Sequence, residues 1–167
     1  MIYSSSYVWA LYKFDDAYKF VKTQTLFLIV SYIVMYITLK IPYTKYLNKS
    51  NIIFIVCIIL LILVLIPGIG TVRNGSRSWF GIGGFGIQPS EFTKLGMIIF
   101  TSKYLAFNEK VLKDIKKGLL PILSTLILVF GLIMLQPDFG TGVIIVMSII
   151  GLLFIIGVPM GFFIKLG

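Results

Sequence analysis

Long apolar runs separated by short polar breaks set the pattern of this chain. Residues 25–39, 51–66, 118–135 and 141–157 are dominated by Ile, Leu, Val and Phe, and residues 89–107 form a fifth largely apolar run interspersed with Ser, Thr and Lys. None of the five shows strand-like alternation with polar residues, so each predicts a helix that is apolar on most of its circumference. A helix crossing a hydrocarbon core of about 30 Å needs about 20 residues. The 25–39 run is short for that and is expected to extend by a turn on each side. The breaks carry stop signals: Lys40-Ile41-Pro42, Pro67-Gly68, Gln136-Pro137-Asp138-Phe139-Gly140 and Val158-Pro159. Proline disfavours helix at the residue before it, and Pro-Gly marks a turn. Residues 1–10 are apolar but too short to span. Residues 13–22 alternate Lys with Phe and Tyr and suit a membrane interface. The last residues, 160–167, read as the start of a further segment.

Composition turns this pattern into a fold class. The chain is 58% hydrophobic and 13% charged, with mean hydropathy +1.01, whereas soluble domains are roughly half apolar and about a quarter charged. The expectation is an all-α, polytopic transmembrane helix bundle with about five full spans, forming a single membrane domain over residues 1–167. The net charge of +9 does not point to nucleic acid. The basic residues fall mostly in short loops between apolar runs, where they act as topology signals and contact anionic membrane lipids. Cys57 is the single cysteine and histidine is absent, which removes a disulfide framework, a cysteine metal site and the commonest general base. No cleavable signal peptide is predicted, because the N-terminus lacks a basic region followed by an apolar one.

The loop charges orient the helices. Lys40, Lys45, Lys49, Lys103, Lys110, Lys113, Lys116, Lys117 and Lys165 fall on one side, and the smaller set Lys13, Lys19, Lys22, Arg73 and Arg77 on the other. The side richer in Lys and Arg is cytoplasmic. Residues 68–87 and 136–140 are therefore both expected to face outward.

Those two stretches hold most of the candidate chemistry. The sequence from Gly70 to Lys94, GTVRNGSRSWFGIGGFGIQPSEFTK, is the longest interruption between apolar runs. Its Gly81-Ile82-Gly83-Gly84-Phe85-Gly86 matches G-x-G-x-x-G, but no strand is expected before it and no βαβ unit can follow, so a dinucleotide site is rejected. The glycines read as a tightly folded outer loop that a ligand can approach closely. Asn74-Gly75-Ser76 matches a glycosylation sequon too short to inform. Arg73 and Arg77, followed by Trp79, have the chemistry to hold a diphosphate. Anchoring to anionic lipid explains the same residues nearly as well.

Gln88-Pro89-Ser90-Glu91 reads as a helix start, with proline at the first position and Glu91 near the positive end of the helix dipole, able to reach back to a free N–H. Lys94 shares a face with Glu91. The pair reads first as structural, fixing this helix against its neighbours, and second as part of a polar site opening outward. Asp138 either caps the last helix, meets Arg77 or Lys94, or orients or deprotonates a hydroxyl. Gln-Pro recurs at 88 and 136. Two dipeptides are too little to establish a repeat, and the recurrence reads as coincidence.

The run GSRSWFGIGGFGIQPSEFTKLGMIIFTSKYLA resembles the signature of the SEDS family (shape, elongation, division and sporulation), which comprises the RodA, FtsW and SpoVE proteins. The matching positions are Gly75, Arg77 in part, Trp79, Gly83, Gln88-Pro89-Ser90-Glu91 and Lys94. QPDFGTG at 136–142 resembles a second family motif, and MIYSSS with the charged stretch and KTQ after it resembles the segment joining the family's first two helices. The resemblance covers essentially the whole chain.

The resemblance implies bacterial inner-membrane proteins, typically of ten helices, that polymerise peptidoglycan glycan strands from lipid II together with a class B penicillin-binding protein. An acceptor hydroxyl attacks a sugar whose leaving group is undecaprenyl diphosphate. Arg73, Arg77, Lys94 or a divalent cation would stabilise that diphosphate. Substrate contacts are expected from Arg73, Arg77, Trp79, Gln88, Ser90, Glu91, Lys94 and Asp138. The chain is expected to carry the end of the family's first helix and about five further spans. The family's catalytic aspartate lies in a later outer loop, so no catalytic residue is assignable here and no metal ligand is named. A transporter of lipid-linked precursor and a non-catalytic membrane fragment are the competing readings. No residue decides among elongation, division and sporulation, although the reading inclines to the elongation type.

Overall fold

The computed structural model describes residues 18–73, 75–82, 85–108 and 118–158. Among the described residues there are five helices, α1 (Lys19–Leu39), α2 (Tyr43–Leu65), α3 (Pro89–Phe107), α4 (Leu120–Met134) and α5 (Phe139–Ile155), and three strands between α2 and α3. The strands are β1 (Thr71–Arg73), β2 (Ser76–Ile82) and β3 (Phe85–Ile87). The expectations for residues 1–17, the loop 109–117 and residues 159–167 lie outside the described residues, as do those for Asn74, Gly83 and Gly84.

The chain divides into two compact units, Met1–Lys45 and Tyr46–Gly167. In the first, α1 is apolar all round and leaves Leu26, Ile29, Ile33 and Ile37 each about half exposed, as a helix solvated by lipid would. Its 21 residues extend about 32 Å, enough to cross a bilayer core. At its C-terminal end Lys40 Nζ lies 4.5 Å from the Tyr36 ring centroid. This contact holds an interfacial cation without a carboxylate.

The second unit is a helix bundle capped at one end by the sheet. Its core is read from helical spacing: Phe54, Cys57, Leu61 and Val64 on α2, Ile122, Leu126, Val129 and Ile133 on α4, and Ile145, Ile149 and Leu153 on α5 are all buried. The buried stripe of α3 is different, since Ser90, Thr93 and Thr101 share it with Gly96, Met97 and Leu105. Small and hydroxyl residues let helices approach closely where lipid gives no hydrophobic drive between them. A Cβ at Gly96 would lie 2.9 Å from Cys57 Sγ, so α2 and α3 meet there side by side. Phe54 and Phe100 stack further along with centroids 4.5 Å apart. The pairing of Cys57 with Gly96 and of Phe54 with Phe100 makes α2 and α3 antiparallel.

Three expectations are corrected. Helix α2 starts at Tyr43, not Asn51, so Lys45 and Lys49 sit in its first turns; long basic side chains can do this because their heads reach water from a helix end. The last helix starts at Phe139, not residue 141, because Asp138 caps it. The glycine-rich stretch is not an irregular loop but an antiparallel sheet of order β1-β2-β3. Val72 pairs with Arg77, Arg73 with Ser76 and Gly81 with Gly86. Gly75 takes φ +82° at the β1–β2 turn, a conformation only glycine adopts at little cost. A strand therefore does precede Gly83, against expectation. Its neighbour is antiparallel with no intervening helix, so this is no dinucleotide fold. Helix α3 runs from Pro89 to Phe107, as the sequence predicts.

Two helices, Phe20–Leu39 and Tyr43–Leu65, are long and apolar enough to cross a membrane, and α4 and α5 are shorter apolar helices. Their exposed faces carry Ile127, Leu128, Ile144, Met147 and Phe154. The molecule is a membrane-helix bundle.

Candidate substrate-binding site at the sheet end

Asp138 is the centre of this site. Pro137 prevents α4 from continuing into α5, and the aspartate that follows is a strong N-cap residue. Its Oδ1 accepts from the Thr141 N–H at 3.3 Å, and its Oδ2 accepts from the Thr141 hydroxyl at 2.7 Å. The same Oδ2 accepts from Gln88 Nε2 at 2.5 Å. Gln88 is itself the N-cap of α3, with extended backbone, and its side chain does not cap its own helix. One carboxylate thus joins the N-termini of two helices, α3 and α5, where both dipoles favour negative charge. The bond brings the two N-termini together at one end of the bundle.

A second set of bonds holds the sheet to this end. The Ser76 hydroxyl donates to the Gln136 carbonyl oxygen at 2.6 Å and shares a bond of 2.8 Å with the hydroxyl of Ser78. Gln136 is fully buried, and its Nε2 donates to the Leu61 carbonyl oxygen at 3.2 Å. The α4–α5 turn is therefore bonded to β2 on one side and to α2 on the other. Strand alternation puts Ser76 and Ser78 on the bundle face of β2 and Arg77 and Trp79 on the opposite face.

Lys94 Nζ meets Glu91 Oε2 at 2.8 Å within α3. The pair forms, but within one helix; it does not fasten α3 to a neighbour. Nor does Glu91 close a capping box, since its carboxylate turns toward Lys94. Glu91 is more than half exposed and Lys94 mostly buried, so the ammonium is the more enclosed partner. Ser90 is completely buried, and among the described residues its hydroxyl has no partner.

The structure thus brings Gln88, Ser90, Glu91, Lys94 and Asp138 to one end, all on or beside two helix N-termini. Arg77 and Trp79, both half-buried, lie on β2 at that same end. Among the described residues, no ion pair joins Asp138 to Arg77 or Lys94; the capping alternative is the one observed. Arg73 ends β1, and its side chain lies outside the described residues. Sequence reasoning missed Ser76, Gln136 and Thr141. Thr141 was legible as the third residue after a candidate cap, whereas Ser76 and Gln136 are joined across 60 residues and carried no local signal. Among the described residues, no three His, Cys, Asp or Glu side chains cluster as metal ligands.

A family model described as cell cycle protein, FtsW/RodA/SpoVE, matches residues 1–167. The chain belongs to the FtsW/RodA/SpoVE family. Within the SEDS proteins it is 45% identical to stage V sporulation protein E of Bacillus subtilis, over 100% of this chain and 46% of that protein. It is 35% identical to a probable peptidoglycan glycosyltransferase FtsW of Saccharophagus degradans, over 99% of this chain and 43% of that one. The chain spans less than half the length of these curated relatives. Among solved structures, one from a study of how a peptidoglycan synthase complex coordinates polymerization and crosslinking matches with TM-score 0.75 and 25% identity, over 86% of this chain and 41% of that one. The rod shape determining protein RodA of Thermus thermophilus matches with TM-score 0.65 and 25% identity, over 86% and 45%. The SEDS fold is thus shared as well as the sequence.

Proposed function

We propose that this chain forms part of a peptidoglycan glycosyltransferase, the part that holds lipid II at the outer face of the bacterial inner membrane. On this reading α1 to α5 each cross the membrane in one membrane domain, and residues 68–87 and 136–140 face outward. The observation that carries it is the Gln88–Asp138 bond. It gathers two helix N-termini, a carboxylate, the Glu91–Lys94 pair and the sheet at one end of the bundle, on the motifs that carry the family likeness.

Each group has a role that its chemistry supports. Lys94, with a partner it can exchange, and Arg77 on β2 offer cationic contacts to a leaving diphosphate. Asp138 is fixed by donors from Thr141 and Gln88 and orients a sugar hydroxyl with little reorganisation. Ser90, Glu91, Arg73 and Trp79 complete the substrate contacts. The carbohydrate-transfer step belongs to the whole protein, and its partner is a class B penicillin-binding protein. The likeness to a chain of a peptidoglycan synthase complex supports that assembly.

The test is lipid II polymerisation by the full-length protein with its partner, comparing Asp138→Asn with the parent. Asparagine is nearly isosteric, caps helices well and still accepts from Gln88. A drop of about tenfold or more in glycan strands, with the melting temperature kept, supports substrate contact. Unchanged polymerisation would leave Asp138 as a cap alone.

A further inference from the structure

At the end of the α2–α3 pair away from the sheet, Asn51, Phe100, Lys103, Tyr104, Phe107 and Asn108 line a cavity of about 280 Å³. We propose that this cavity binds the headgroup of an anionic glycerophospholipid, with Lys103 as the phosphate contact.

The cavity follows from the packing. Phe100 is held by its stack on Phe54, and the last two turns of α3 line the cavity together with Asn51 of α2. Lys103 is half-buried and, among the described residues, has no ion-pair partner. A partly enclosed ammonium at a membrane edge calls for a counter-charge. Glu91 and Asp138, the described carboxylates, both lie at the sheet end. Asn51 Oδ1 is engaged by the Ser50 hydroxyl at 3.3 Å, which leaves the Asn51 amide N–H groups as donors.

The carbonyl of Tyr104, which would repel an anion at the end of α3, is occupied. It accepts from the Asn108 Nδ2 at 2.9 Å and from the Asn108 backbone N–H at 3.1 Å. Phe107, 77% exposed, offers apolar contact beside the cation. A cation and amide donors beside aromatic walls match a phosphate with an acyl chain attached better than a free anion.

The test uses the full chain in neutral detergent, with dioleoylphosphatidylglycerol, dioleoylphosphatidylcholine and inorganic phosphate as probes. Lipid retention is read by native mass spectrometry and stabilisation by melting temperature. Phosphatidylglycerol is expected to be retained over phosphatidylcholine, without displacement by inorganic phosphate. Lys103→Gln is expected to lower phosphatidylglycerol retention about fivefold, as the loss of one basic contact to anionic lipid implies. Lys45→Gln, on the exposed start of α2, is the comparison and is expected to keep the preference. If Lys103→Gln does not fold, Asn51→Ala carries the test, with a loss of the same preference expected. Equal retention of the two lipids, an unchanged preference in the variant, or full displacement by inorganic phosphate would each overturn the proposal.

Discussion

The two ends of the α2–α5 bundle are built on opposite principles. At the sheet end most polar groups bond to one another, although the buried Ser90 hydroxyl and Gln136 Oε1 have no partner among the described residues. Asp138 takes donors from Gln88 and Thr141, Ser76 donates to Gln136, Gln136 donates to Leu61, and Lys94 pairs with Glu91. At the other end, Lys103 and the Asn51 amide face a cavity without a charge partner among the described residues. A bonded network in a low-dielectric setting fixes geometry, which a site that orients a reacting substrate needs. An unpaired cation at a membrane edge fixes nothing inside the protein and takes its partner from the lipid. Position in the fold thus separates groups that composition alone would pool as polar residues in a membrane protein.

The strongest way to break the difference is to remove the sheet end's central carboxylate. In the full-length protein, Asp138→Ala loses the cap and the bond to Gln88 together. Polymerisation of lipid II should fall by about a hundredfold, comparable to losing one preorganised polar contact at a reacting centre, and the melting temperature should fall because an N-cap contributes about 1 kcal/mol. The seam joining the two ends comes next. Gly96→Leu forces a side chain into Cys57, where even a Cβ lies 2.9 Å from Sγ. Overpacking of this kind costs about 1–3 kcal/mol, read as a lower melting temperature in detergent, with both lipid preference and polymerisation reduced. The smallest effect belongs to Glu91→Gln. The pair is intrahelical and its carboxylate more than half exposed, so stability should change by only about a few tenths of a kcal/mol. A much larger loss of polymerisation than of stability would mark the Glu91–Lys94 pair as a substrate contact.

The two ends were unequally legible in the sequence. Helix α3 was readable to the residue, because proline after Gln88 fixes its start and the apolar run ends at Phe107. The start of α2 was not, because Lys45 and Lys49 look like loop residues but lie on exposed early turns. The sheet was hidden by glycine density, which masked the alternation in Ser76-Arg77-Ser78-Trp79-Phe80. The Asn74-Gly75 dipeptide is a strong hairpin signal, and reading it only as part of a sequon loses that signal. For Asp138 the cap was legible locally, but the bond to Gln88 spans 50 residues and only the fold shows it. The repeated Gln-Pro has two different uses: Gln88 reaches Asp138 through its side chain, while Gln136 is buried beneath the sheet. Lys103 read only as one of many basic residues on one side, since nothing local sets it apart from the loop lysines.

The central claim is that the sheet end holds lipid II through groups that Asp138 organises. The most direct measurement is lipid II polymerisation by full-length protein carrying Asp138→Asn, run beside Lys45→Gln at matched melting temperature. A loss of about tenfold or more confined to Asp138→Asn is the predicted result. Equal polymerisation by the two variants would contradict the account.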